Sequence, residues 1–540
     1  MVYKGMASKN PIKISVLVLF SMALPVNAEL KVTPRVSMSQ LYSDNLFNRS
    51  DTQQIESDNV NQLVAALALN SRSMLLDTNL SYQYTKLKYQ TFHQLDQDFS
   101  NYLASTTFKL IDDQLLIKLS TQKGRFASTL TSGNSGDDIL SGAAQTDITN
   151  YKINSNFNSR LGRFLDYNFN LTADKIKADQ VTNAEQSLLD DTDAYSTQLT
   201  LSNGRFFKHS YWRLSARQTE SERRGQGFSS LTKQKLNNYR ANLGFGLTST
   251  TSLYLQYAKE DYDVIGGGAP HLNYASYGSG IRWQPSSKTD IKLAYNWALD
   301  DNNEDHISAE LAWHPSRRTS FEISTKKRFF GDAYSFSFNH RKKRIVTKVA
   351  YTEQIISYRL SSLDESPTDN LICPTLEPFT LDQCEFTSDP SPTLGAGQQL
   401  IPQQELTPDL QNNTYLDKRY TASISYQKRK LLTHFNFISS TQTNLQTDQE
   451  RDQLFVGLRF NYLLSQRDSI EFSSSISQFQ LEDEEQLLPR FDDTRLSLSY
   501  QRSLSPEIGV QLQLTELDRD FESNQQYKEQ RIMLSLSMRF

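Results

Sequence analysis

The chain closes on RIMLSLSMRF (residues 531–540). Ile532, Leu534, Leu536, Met538 and Phe540 are apolar, whereas Arg531, Ser535, Ser537 and Arg539 are not. A period of two puts the first set on one face of a β-strand and the second on the other. In a soluble sheet this strand would be an exposed edge, open to pairing with another chain. A barrel removes the edge by pairing the last strand with the first, near Val32 to Leu41, and the apolar face then meets lipid.

The pattern recurs along the chain. Tyr274 to Trp283 leads through a polar turn into Ile291, Leu293, Tyr295 and Trp297. Leu454, Val456, Leu458, Phe460 and Tyr462 lead through Ser465-Gln466-Arg467 into Ile470 and Phe472. Leu496, Leu498 and Tyr500 lead through Ser503 to Pro506 into Ile508, Val510, Leu512 and Leu514. Repetition of this unit predicts about 24 strands of roughly 9–12 residues, the length of a tilted bilayer crossing. Short turns (Pro315–Arg318, His340–Arg344, Pro506–Glu507) then fall on one side and long segments (Tyr42–Asn59, Ala127–Thr146, Ser357–Asn413) on the other. That is the arrangement of periplasmic turns and extracellular loops. The expected fold is all-β: a transmembrane antiparallel up-and-down barrel without a plug domain, located in the bacterial outer membrane. A propeller or solenoid would show a fixed repeat, and none is visible.

Composition agrees. Only 37% of the 540 residues are hydrophobic, yet 11% are aromatic, which suits strands with a single buried face. A net charge of -4 gives no support to nucleic-acid binding. Lys4, Lys9 and Lys13 precede an apolar run from Ile14 to Leu24 and the small-residue site Val26-Asn27-Ala28, so residues 1–28 read as a cleaved signal peptide and 29–540 as the barrel. The only two cysteines, Cys373 and Cys384, are expected to form a disulfide in an oxidising compartment. They lie in the segment 357–413, which holds seven of the fifteen prolines and reads as an extracellular projection or a gate folded into the mouth.

Chemistry-bearing residues are sparse. His306 and Ser308 share a strand face with Glu310, but Ile307, Ala309, Leu311 and Trp313 take the lipid face, so the polar set points to the lumen. No nucleophile–base set stands out, and the chain is read as a non-enzyme without cofactor or metal. Arg341, Lys342, Lys343 and Arg344 form a basic periplasmic turn, a solvated turn or a contact for anions. Asp44-Asn45 reads as a turn-forming pair rather than cation ligands. Tyr42, Trp212, Trp283, Trp297 and Trp313 lie near strand ends and fit an interfacial girdle.

Three elements carry a family resemblance: W-x-P-S-x-R-T at 313–319, R-F-F-G-D-x-Y at 328–334 and NHRKKR at 339–344. Together with the opening TPRVSMSQLYSDNLF and the layout of the last ninety residues, they resemble an outer-membrane barrel family associated with PEP-CTERM/exosortase systems. The resemblance implies a passive conduit or accessory in exopolysaccharide export, with periplasmic export components as partners and no catalytic residues. A diffusion porin and an adhesive surface barrel are the alternatives. The closing strand, with Phe540, Met538, Leu536, Leu534 and Ile532, resembles the signal read by the barrel assembly machinery of the outer membrane.

Overall fold

The computed structural model describes residues 29–46, 56–111, 114–127, 145–159, 162–178, 191–207, 209–224, 232–265, 271–299, 304–356, 370–374, 385–387, 398–401, 415–445, 448–482, 491–521 and 525–540. The signal-peptide expectation, Cys384 and most of 357–413 lie outside these residues.

The first wall strands are β1 (Glu29–Ser43), β2 (Asp58–Arg72), β3 (Leu76–Tyr89), β4 (Gln97–Leu110), β5 (Leu115–Ala127), β6 (Gln145–Ser159), β7 (Leu165–Ala178), β8 (Asp191–Asn203) and β9 (Ser210–Arg224). They continue as β10 (Thr232–Gly246), β11 (Thr251–Ile265), β12 (Leu272–Ser286), β13 (Thr289–Ala298), β14 (His306–Ser316), β15 (Thr319–Arg328), β16 (Gly331–Lys342) and β17 (Ile345–Ile356). Next come three short strands, β18 (Asn370–Pro374), β19 (Glu385–Thr387) and β20 (Gln398–Ile401). The wall resumes with β21 (Tyr415–Lys428), β22 (Leu431–Asn444), β23 (Glu450–Leu463), β24 (Asp468–Glu482), β25 (Phe491–Ser503), β26 (Ile508–Phe521) and β27 (Gln525–Arg539).

β17 pairs directly with β21, so β18 to β20 stand apart as their own small antiparallel sheet. The remaining strands form one 24-stranded antiparallel sheet in chain order, closed by β1 against β27. Closure leaves no unpaired edge. β1 begins at Glu29 rather than near Val32, because Glu29 to Lys31 extend the ladder with Asn70 to Arg72.

On one rim no connection between strands exceeds six residues, and both ends of the closed sheet, Glu29 and Arg539, lie there. The opposite rim carries the long connections. A serine organises many of the short turns. Ser286, Ser316, Ser465 and Ser505 each accept, on Oγ, the backbone N–H two residues on, at 3.2, 3.1, 3.0 and 3.2 Å. Such local side-chain acceptors hold a turn against the pull of the ladder.

The W-x-P-S-x-R-T element is one of these turns. The register shifts between Trp313 and Ser316, where Pro315 cannot donate to the ladder. Ser316 then bonds Thr319 Oγ1 at 3.2 Å. The preceding hairpin repeats the device as W-Q-P-S-S-K-T, with the same shift between Trp283 and Ser286. This repeat is legible in the sequence as two W-x-P-S-x-[RK]-T runs.

The two faces divide as the alternation predicts. Ile532, Leu534, Leu536, Met538 and Phe540 are exposed, from 38% at Met538 to 72% at Phe540. Tyr42, Trp283, Trp297 and Trp313 are exposed outward, and Trp212 is half-buried on the outward parity of Leu214. Trp297 stacks on Tyr277 at 5.4 Å. The wall therefore turns rings and aliphatic chains outward near both rims and between them.

Candidate functional site

The inner face is built from the residues left over by that alternation, and they are mostly polar. Their long side chains lie along the wall and bond across strands. Glu260 is buried between Arg240 (3.0 Å) and Arg328 (2.9 Å), and also accepts from Asn238 Nδ2. Asp417 accepts from Gln442 Nε2 at 3.0 Å and pairs with Arg419 at 3.0 Å. Arg519 pairs with Asp493 at 2.6 Å. Each of these three buried carboxylates thus has a counter-charge beside it, which burial requires.

At the long-loop rim two apolar clusters replace the polar lining. One contains Leu41, Leu46, Val60, Leu87, Tyr89 and Phe99, with Met533 packed on it. The other contains Tyr262, Val264, Tyr274, Phe329 and Ile355, with Leu236 and Leu416 among the side chains against it. Tyr262 on β11 and Ile355 on β17 are six strands apart, an arc of about 29 Å at ~4.8 Å per strand. Phe329 links them: from the tip of the β15–β16 hairpin it reaches Tyr262, so the cluster spans the rim above the short strands β13 to β16.

The R-F-F-G-D element supplies that tip. Phe329 stacks on Tyr262 at 5.5 Å, with 14° between the rings, and Arg328 lies 4.9 Å above the Phe330 ring. Gly331 has φ of +113°, a conformation that L side chains rarely adopt, and this turn therefore needs glycine. A motif known only by resemblance becomes the apolar bridge of the mouth. The clusters centre nearly opposite each other around the ring.

The Y-x-D-N stretch fastens the seam. β1 and β27 share nine register pairs, from Arg35↔Arg539 to Ser43↔Arg531. Beyond them Asp44 Oδ1 accepts the Gln530 N–H at 2.7 Å, and Asn45 Nδ2 donates to the Lys528 carbonyl at 3.0 Å. Ser43 Oγ donates to Glu529 at 2.6 Å. At the other end Phe540 N–H bonds the Pro34 carbonyl at 3.0 Å. The Asp44-Asn45 pair thus extends the closing ladder instead of serving only as a local turn.

The third feature is a recess of about 580 Å³ in the lumenal wall of β22 to β27. Cross-strand register explains it. One row reads Arg459↔Ser473↔Ser497↔Thr515↔Arg531. The row two residues nearer the long-loop rim reads Gly457↔Ser475↔Arg495↔Leu517↔Glu529. Short hydroxyl side chains on the middle strands leave a hollow between flanking arginines. Gln513 Nε2 donates to Ser497 Oγ at 3.0 Å, while Ser473, Ser475 and Ser499 make no side-chain hydrogen bond among the described residues.

The other singled-out residues are placed as follows. His306 and Ser308 face the lumen; His306 lies 3.2 Å from the Tyr274 hydroxyl, and Ser308 Oγ accepts from Asn296 at 2.9 Å. Glu310 pairs with Lys292 at 3.0 Å. These three join the wall network rather than one reactive centre. Arg341 and Lys342 end β16, and Lys343 and Arg344 form the β16–β17 turn on the short-turn rim, with Lys342, Lys343 and Arg344 exposed. Cys373 lies in β18, and the disulfide expectation falls outside the described residues through Cys384.

No family model and no curated protein matches the sequence. The structure is similar to the siderophore receptor PirA from Acinetobacter baumannii, at 10% identity over 96% of this chain and 81% of that one, with a TM-score of 0.43. It is similar to the FrpB iron transporter from Neisseria meningitidis, at 10% identity over 94% and 81%, TM-score 0.45. It is also similar to the ferric-catecholate import receptor Fiu from E. coli, at 8% identity over 94% and 81%, TM-score 0.40. The chain's own geometry is the stronger guide: a closed, even-stranded barrel with short turns on one rim and an apolar, aromatic-flanked exterior is a protein of the bacterial outer membrane.

Proposed function

We propose that this barrel is a passive conduit or accessory for exopolysaccharide leaving the cell. The observation that carries the reading is the lumenal wall of β22 to β27, a register-aligned field of serine, threonine and glutamine side chains. Between the arginines of this wall a hydrated polymer exchanges one neutral hydrogen bond for another, each worth only about 1 kcal/mol net, so those positions do not become traps. The resemblance of 313–344 and of the chain's opening to the exosortase-associated barrels supports the same reading, with periplasmic export components as partners. Among the described residues no plug domain accompanies the wall, and the apolar clusters at the mouth limit leakage. A general diffusion porin is the rival reading.

Deleting the gene is expected to abolish secreted polymer while leaving small-solute uptake unchanged. Planar-bilayer recordings with a large, constantly open conductance and unaltered secretion in the deletion strain would favour the porin. Loss of surface attachment with normal secretion, on excision of 357–413, would favour an adhesin.

A further inference from the structure

Three guanidinium groups, from Arg459, Arg495 and Arg531, line the recess against a single lining carboxylate, Glu471. They are not equivalent. Arg531 is committed to Glu529, with Nη2 2.7 Å from Oε2. Arg459 stands 3.6 Å from Glu471 and is 44% exposed. Arg495 makes no hydrogen bond or ion pair among the described residues, and Glu529 stands two strands away from it in the same row. A half-buried guanidinium facing a water-filled lumen without a close counter-ion is a site of positive potential.

The hydroxyls around it extend that site in a particular direction. Arg495 sits beside Ser475 in its row, with Ser473 and Ser497 in the next row. Arg459 and Arg531 mark the two ends of that row, about 19 Å apart at ~4.8 Å per strand. The volume lies within the roughly 300–1,000 Å³ of small-ligand sites. A simple inorganic anion would engage the guanidinium and at most the one or two hydroxyls nearest it, leaving those further along the row unused. A sugar ring bearing an acidic group uses both, since its hydroxyls match Ser473, Ser475 and Ser499 while its anion meets Arg495.

We infer that the recess is a binding subsite for an anionic saccharide unit, with Arg495 holding the acidic group and Arg459 receiving the next one along the chain. This inference rests on the conduit reading and narrows it to acidic polymers. Binding here is weak: each acidic group makes a single charge-assisted contact, enough to select, and the neutral hydroxyls between the two arginines allow release.

The test uses the full chain in planar bilayers, with current block measured for a short glucuronic acid oligomer, a neutral maltooligosaccharide of matched length and inorganic phosphate. The acidic oligomer is expected to block at least tenfold more tightly than the neutral one. Arg495→Gln should reduce that preference about tenfold, whereas Arg495→Lys should keep most of it. Arg459→Gln, at an exposed position, should reduce it several-fold and serves if Arg495→Gln fails to assemble. Equal block by both oligomers, or a preference unchanged in both glutamine variants, overturns the inference and leaves the conduit standing. Block by phosphate as tight as by the acidic oligomer reduces the recess to an anion site and likewise overturns it. An open small-ion conductance that neither oligomer reduces removes the conduit reading together with the subsite.

Discussion

At the scale of single residues the mouth is the most exacting part of the molecule. Gly331 adopts φ of +113° with nothing within 4 Å of where a Cβ would stand, so the demand there is purely conformational. Gly331→Ala is expected to cost about 1–2 kcal/mol through left-handed strain alone. At Gly246 a Cβ would make only ordinary contacts, at 3.4 and 3.9 Å, and Gly246→Ala is the matched control, with little effect. Urea unfolding in detergent, followed by loss of the compact band on gels, reads both. Phe329 is a different case, because its ring is what the bridging cluster is built around. Phe329→Ala should destabilise by about 3 kcal/mol or more and also raise single-channel conductance. An unchanged conductance would mean that the cluster thickens the wall without narrowing the mouth.

At the scale of elements the strands were legible and their ends less so. Alternation in stretches such as Leu454 to Tyr462 prescribes both faces, because a slip of one residue would turn five apolar side chains into the lumen. Period two says nothing, however, about what fastens the first strand to the last. That depends on Asp44 and Asn45 reaching residues nearly five hundred positions away, a pairing that no local pattern encodes. Asn45→Ala should therefore cost about 1–2 kcal/mol, through loss of the part-buried bond from the buried Asn45 amide to the Lys528 carbonyl. Its signature is a smaller folded fraction at fixed urea, with assembly otherwise intact. Removal of Phe540 is expected to act earlier. It should lower the amount of barrel reaching the surface more than it changes any property of the barrels that arrive, as surface labelling against single-channel conductance would reveal. The serine turns are half-visible in sequence: Ser316 lies in the W-x-P-S-x-R-T element, and its twin Ser286 is marked by the matching register shift of the neighbouring hairpin.

At the scale of the whole molecule, closure and sidedness follow from the count of strands and the lengths of turns, both of which the sequence displays. The lumen does not follow so easily. Arg459, Ser473, Ser497, Thr515 and Arg531 span more than seventy residues of sequence, and only cross-strand register sets them in one row. The apolar bridge over β13 to β16 was hidden for the same reason, since its members come from walls far apart along the chain. A polar, register-aligned interior beneath a narrowed mouth is the property on which the conduit reading stands. Secreted polysaccharide in a deletion strain, measured beside uptake of a small neutral solute, tests that reading most directly. Polymer lost from the medium and restored by the intact chain, with solute uptake unaltered, is the predicted result. Normal polymer with impaired solute uptake would contradict it.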